Sequence, residues 1–191
     1  MDFKHLQDSV TACSKSQEHA IPPVEKWDPP FCGNINLRIS LKGEWIYEGS
    51  PILRPPLVRL FSSVLKKESQ QYFLVTPVEK VGIEVEDVPF IITTWTQENH
   101  TLFFTTQTGD TFPVDESHPV ELRTPPTGLG SPDASIPYVN VRRNLWGRLH
   151  QNVLYQLLNE AKITDGENGR QQAVVQSNGD ALVLGEINDP L

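Results

Sequence analysis

Between Tyr72 and Phe90 the chain reads YFLVTPVEKVGIEVEDVPF, its densest run of strand-forming residues. Tyr72–Thr76 is aromatic and β-branched and ends at Pro77, which predicts one strand. Val81, Ile83 and Val85 then alternate with Gly82, Glu84 and Glu86. Successive strand side chains point to opposite faces, so the three aliphatics share one face and both carboxylates the other, with Lys80 in the same parity. Pro89 lacks an N–H for a ladder, so the chain is expected to change direction between Val85 and Ile91.

The pattern continues in both directions. Asp8-Ser9-Val10 opens a short helix. Leu37–Leu41 and Trp45–Glu48 flank Lys42-Gly43-Glu44 as a hairpin, with Gly43 at positive φ. Pro55-Pro56 starts a helix whose Leu57, Leu60, Phe61, Val64 and Leu65 make one apolar stripe. Lys66 and Lys67 are placed at its C-terminal end, where the helix dipole favours cations. Phe90–Thr96, Thr101–Thr106 and Thr111–Val114 read as strands. A proline-rich connection follows over 115–137, with a short strand at Val120–Arg123; a connection of that length is often functional or wraps the surface. Tyr138–Val141 is a strand. Asn144 is read as the N-cap of a helix running to about Ile163, with Trp146, Leu149, Val153, Leu154, Leu157, Leu158 and Ala161 inward and His150 on the edge of the stripe. Asp165-Gly166 closes that helix. Asn178-Gly179 between two apolar runs is the strongest hairpin signal in the chain.

The order of elements repeats at 37–86 and 101–187 without matching residue identities. The fold class is α+β, with two similar halves, each an antiparallel sheet packed with one helix. The boundaries are a lead-in at 1–34, an N-terminal half at 35–88 and a C-terminal half at 89–191. Glu86–Phe90 is expected to join the halves and line their seam, with Asp87 accepting from the turn backbone or, alternatively, from a ligand or an arginine of the other half. Seams of this kind are a usual place for a ligand.

Charge narrows the function. A net charge of −8 over 191 residues argues against general nucleic-acid binding and against an anionic membrane surface. The N-terminal MDFKHLQDSV has no apolar core of a secretory signal, and no apolar run approaches a membrane span, so the expected location is cytoplasmic. Cys13 and Cys32 form no CxxC and read as free thiols, with a single disulfide as the alternative. Histidines 5, 19, 100, 118 and 150 lack metal spacing. No phosphate loop, GxGxxG, GxSxG, HExxH or EF-hand loop occurs. No metal, cofactor or catalytic residue is predicted.

The candidate ligand-binding residues are Arg54, Thr76, Glu79, Lys80, Glu84, Glu86, Asp87, Phe90, Arg123, Arg142 and Arg143. Arginines suit carboxylate or phosphate groups, so a small anionic metabolite is the first ligand class. Same-face carboxylates two residues apart on a strand lie roughly 6.5–7 Å apart, which also suits acid/base work. Three readings therefore stand: a small-ligand-binding module, an enzyme using Glu84, Glu86 or Asp87, and an interaction protein working through a sheet edge or the 115–137 connection. In the structural reading, the same arginines are surface residues or pair with Glu79, Glu84 and Glu86.

Gly43-Glu44-Trp45, Gly49-Ser50-Pro51-Ile52, Leu57-Val58-Arg59-Leu60-Phe61, Thr76-Pro77-Val78-Glu79-Lys80 and Val85-Glu86-Asp87-Val88-Pro89-Phe90 occur in this order. With these the chain resembles a bacterial family, domain of unknown function 1285, strongly over 35–95 and more loosely through Tyr138–Leu158. The resemblance implies a duplicated α+β core and a C-terminal half similar to pleckstrin-homology folds. It also implies a ligand site in the cleft between halves, in a protein of nutrient-linked signalling. A protein partner belongs to the reading as an interaction protein.

Overall fold

A computed structural model describes residues 7–11, 21–130, 134–166 and 169–187. The chain divides into two compact units, residues 1–86 and 87–191. His5, Cys13 and His19 lie outside the described residues. Residues 7–11 are helical, as Asp8-Ser9-Val10 predicts.

In the first unit, β1 (Phe31–Ile39), β2 (Trp45–Tyr47) and β3 (Ser50–Pro51) form one antiparallel meander. Helix α1 (Pro55–Ser63) follows, and β4 (Leu65–Glu68), β5 (Gln71–Val75) and β6 (Lys80–Val85) form a second meander. The meanders join where β1 pairs parallel with β6, giving the order β3-β2-β1-β6-β5-β4. Gly43 turns the β1–β2 hairpin at φ +78°, a conformation cheap only without a Cβ. Leu57 and Phe61 of α1 pack on this sheet, Phe61 stacking on Trp45 with ring centroids 6.3 Å apart. Leu37, Ile39, Leu65, Leu74 and Val81 complete the core. Full burial of a ring such as Phe61 contributes about 1.5–3 kcal/mol.

The second unit repeats this plan. β7 (Phe90–Glu98), β8 (Thr101–Thr106) and β9 (Thr111–Pro113) form one meander. β10 (Val120–Arg123), β11 (Ile136–Arg142) and β12 (Leu145–Leu149) form the other. Again the first and last strands, β7 and β12, pair parallel, giving β10-β11-β12-β7-β8-β9. Helix α2 (Gln151–Glu160) follows, and β13 (Lys162–Asp165), β14 (Gln171–Ser177) and β15 (Asp180–Ile187) make a three-stranded antiparallel sheet. Asn178 and Gly179 both take positive φ in the β14–β15 hairpin, as their dipeptide predicts. Buried Ser177 ties this sheet to the larger one: its hydroxyl accepts from the Leu102 N–H at 3.0 Å and donates to the Val114 carbonyl at 2.6 Å. Val153 and Leu157 are the buried residues of α2, which packs on β7 and β14.

The structure corrects several expectations. Neither large sheet is wholly antiparallel, since each holds one parallel pair. Helix α1 stops at Ser63, and Lys66 and Lys67 lie in β4, not at a helix C-terminus. Trp146 and Leu149 belong to strand β12, and Asn144 is not a cap. The N-cap of α2 is the exposed His150, whose Nδ1 accepts from the Asn152 N–H at 3.2 Å. Asp165 ends strand β13 rather than a helix. No described helix is long and apolar enough to cross a membrane.

Candidate functional site

Tyr138 on β11 and Arg148 on β12 are register partners, so their side chains stand together on one face of the second unit's large sheet. Asp87 reaches this pair from just before β7. Its two oxygens each accept from the Tyr138 hydroxyl at 3.1 Å, and Oδ2 also accepts from Arg148 Nε at 3.2 Å. Both side chains of the ion pair are 11% exposed. Burial pushes the Asp87 carboxyl above its ordinary range and outweighs the opposing pull of Tyr138, Arg148 and Arg123. Burial, and then the negative charge of Asp87, raise the Tyr138 hydroxyl.

Asp110 is the contrasting carboxylate of the same unit. Burial raises it, but Arg142 and the hydroxyls of Thr108 and Thr106 together hold it below its ordinary value. The Thr108 hydroxyl donates to Oδ2 at 2.7 Å and that of Thr106 at 3.2 Å, while Arg142 pairs with Oδ1. Arg142 also lies 4.6 Å from the centroid of the buried Phe90 ring. More donors converge on Asp110 than on Asp87, which explains their opposite shifts.

Beside Arg148 the second unit holds a cavity of about 450 Å³. Gly128, Leu129 and Gly130, from the proline-rich connection, line one side. Ile136, Arg148 and Leu149 come from the sheet, and Gln151, Leu154 and Tyr155 from α2. Gln151 Nε2 donates to the Tyr155 hydroxyl at 2.9 Å. Arg148 is the only charged side chain in this lining. The volume falls in the roughly 300–1,000 Å³ range of small-molecule sites.

The residues singled out from sequence are scattered by comparison. Arg54 is exposed at the start of α1. Thr76 and Glu79 are buried in a turn, where the Thr76 hydroxyl accepts from the Glu79 N–H at 3.2 Å. Lys80 binds Glu68 at 3.0 Å and lies 5.1 Å from the Phe73 ring centroid. Glu84 is exposed on β6. Glu86 pairs with Arg38 and accepts from the Leu41 N–H at 2.8 Å. Glu84, Glu86 and Asp87 thus have separate surroundings, and Asp87 accepts from side chains of its own unit rather than from a turn backbone. Arg123 pairs with Glu121 and stacks 3.7 Å from the Trp146 ring centroid. Arg143 sits at positive φ after β11. Arg148, Tyr138, Gln151 and Tyr155 were missed. The alternation of Leu145, Gly147 and Leu149 with Trp146 and Arg148 is the strand signal that would have put Arg148 on a face with Tyr138. Cys32 is an exposed free thiol. Among the described residues no group of three or more His, Cys, Asp or Glu is placed to hold a metal.

Two family models match the chain: the N-terminal domain of DUF1285, a domain of unknown function, at residues 22–88, and the C-terminal domain of the same family at 89–184. A DUF1285 protein from Silicibacter pomeroyi DSS-3 has a crystal structure similar to this chain at TM-score 0.78 and 36% identity, covering 93% of this chain and 95% of that one. A second, from Shewanella baltica OS155, is similar at TM-score 0.53 and 30% identity, covering 67% of this chain and 94% of that one. No curated protein matches. The chain belongs to the DUF1285 family.

Proposed function

We propose that this DUF1285 protein is a small-ligand-binding module whose second unit takes a compact carboxylate with an apolar body. One observation carries the reading: the cavity beside β12 has a single charged side chain, Arg148, in an otherwise neutral lining of Ile136, Leu149, Leu154, Gln151 and Tyr155. Asp87 holds the guanidinium at Nε, which fixes its orientation before a ligand arrives. Such preorganisation lowers the entropic cost of binding. A planar guanidinium matches a carboxylate in charge and geometry, while the aliphatic residues favour a short hydrocarbon chain. The 115–137 connection contributes Gly128–Gly130 to the lining, which gives that long loop a role. In a signalling protein, occupancy of this cavity would report the level of a metabolite.

Thermal denaturation of the full chain with sodium butyrate, hexanoate and octanoate, each beside its primary amide, tests the reading. A bound carboxylate raises the melting temperature in proportion to RT ln(1 + [L]/Kd). The expected result is a saturable rise for at least one carboxylate and none for the matching amide. Leu129→Trp, which fills the cavity from the loop side, should abolish the rise while leaving the unliganded protein folded. Equal effects of acid and amide, or no effect of any acid at millimolar concentration, would overturn the proposal.

A further inference from the structure

We infer that the first unit carries a separate site for a primary ammonium group, on the outer face of its sheet above Gly82. The register aligns Phe73, Gly82 and Asn34 across β5, β6 and β1. Along the parallel pair, Phe31 faces Lys80, Asn34 faces Gly82 and Arg38 faces Glu84. Three residues of β1 therefore advance against two of β6, and then four against two. A strand with surplus residues bulges and leaves its partner's ladder locally incomplete. At this irregularity lies a cavity of about 400 Å³, lined by Asn34, Gln70, Gln71, Phe73, Gly82 and Glu84 among others.

Gly82 makes the arrangement possible. A Cβ there would overlap the Asn34 carboxamide oxygen and stand 3.7 Å from the Phe31 ring. With no side chain on Gly82, the amide of Asn34 lies across the strand. The lining then offers three carboxamides and one carboxylate beside aromatic rings. Glu84 is its only charged residue. The cations of this face have other partners: Arg38 binds Glu86, while Lys66 and Lys80 both bind Glu68 at 3.2 and 3.0 Å. No described cation pairs with Glu84, although Arg38 is its neighbour in the ladder.

The lining thus holds one carboxylate and three carboxamide oxygens as acceptors, with the amide N–H groups beside them and an apolar edge. A primary ammonium complements it, because it brings one positive charge and three donors for the carboxylate and amide oxygens. A quaternary ammonium brings charge without donors, and an alcohol brings a donor without charge. Neither satisfies both requirements.

The test is an amide-resolved NMR titration of the full chain with n-butylammonium chloride, tetramethylammonium chloride and 1-butanol. n-Butylammonium should give saturable shifts at Phe73, Gly82 and Glu84, and the other two probes should not. Because Glu84 is exposed, Glu84→Gln should keep the native spectrum, yet weaken n-butylammonium binding by about tenfold or more, the effect of losing a charge-assisted hydrogen bond. Carboxylate binding in the second unit should be unchanged in this variant, so the two proposals fail independently. Shifts that rise linearly without saturation, or a Kd unchanged by Glu84→Gln, would overturn the inference.

Discussion

Neutralising Asp110 should destabilise the protein at pH 7 far more than neutralising Asp87, although both are largely buried and both face an arginine. Asp110→Asn keeps the shape but removes the charge opposite Arg142, whose side chain is 10% exposed. It also weakens the bonds from the Thr108 and Thr106 hydroxyls. Removing one partner of a buried pair leaves an uncompensated charge; with the isosteric amide still able to accept one bond, we expect a loss of about 2–3 kcal/mol. For a chain of this length that corresponds to a fall of about 5–10 °C in melting temperature. Asp87→Asn also leaves a buried arginine, Arg148, opposite a neutral amide, but it removes at the same time a desolvation cost that outweighs the pull of the partners of Asp87, so its loss should be the smaller of the two, about 1 kcal/mol. The pH dependence has opposite signs. The Asp110 carboxyl is lowered by folding, so its contribution is present above its ordinary value of 3.8 and is lost as pH falls through the folded value. The Asp87 carboxyl is raised by folding, so its contribution is full below 3.8 and is lost as pH rises through the folded value. Urea melts of wild type and both variants at pH 7 and at about pH 3.5 measure this directly. The gap between wild type and Asp110→Asn should narrow at the lower pH, and that for Asp87→Asn should widen in favour of wild type. Equal losses at pH 7, or an Asp110→Asn gap independent of pH, would refute the reasoning.

Two further outcomes follow from single side chains. Gln107 acts as a strand surrogate at the start of β7, its Oε1 accepting from the Ile91 N–H at 2.7 Å and its Nε2 donating to the Pro89 carbonyl at 3.1 Å. Gln107→Ala should cost about 1–3 kcal/mol and lower the urea midpoint at unchanged m-value. At the start of α2, His150→Asp replaces an unusual cap with a carboxylate that suits both the exposed N–H groups and the helix dipole; it should stabilise by about 0.5–1 kcal/mol, read as a higher melting temperature.

The sequence displayed the local devices of this fold and concealed the long-range ones. The start of α1 at Pro55, the Gly43 hairpin and the Asn178-Gly179 turn all depend on residues close in sequence and stand where their local signals place them, although the predicted α1 stripe overruns the end of the helix at Ser63. β12 was lost because Trp146, Leu149, Val153 and Leu157 satisfy a helical period, even though a strand and a separate helix meet at His150. A strand of five residues next to a helix offers too few alternations to separate the two periods. β4 vanished into the helix before it in the same way, since Leu65 extends the α1 stripe. The candidate site was still less visible. Asp87 and Arg148 are 61 positions apart, and nothing in either local pattern announces the pairing. Within the 76–90 stretch, Lys80 and Glu86 are taken up by ion pairs inside their own unit.

The shared plan of the two units explains why their cavities differ. In each, two meanders meet at a parallel pair between the first strand and the last, and in each a glycine of the last strand stands at that junction. Gly82 faces Asn34, and Gly147 faces Phe90. A Cβ on Gly147 would come within 3.0 Å of Val141 and 3.2 Å of Phe90, so there the missing side chain admits core atoms. At Gly82 it admits a polar amide instead, and the surface above stays open and carries Glu84. The connections diverge too. β4 and β5 are joined by Ser69 and Gln70 alone, whereas the connection from β10 to β11 runs over 124–135 and brings Gly128–Gly130 beside Arg148. A two-residue turn cannot cover a sheet face, and a longer one can. The duplicated scaffold thus supports an open anionic pocket in one unit and a loop-lined cationic cavity in the other, with the difference set by one strand's surplus residues and one loop's length.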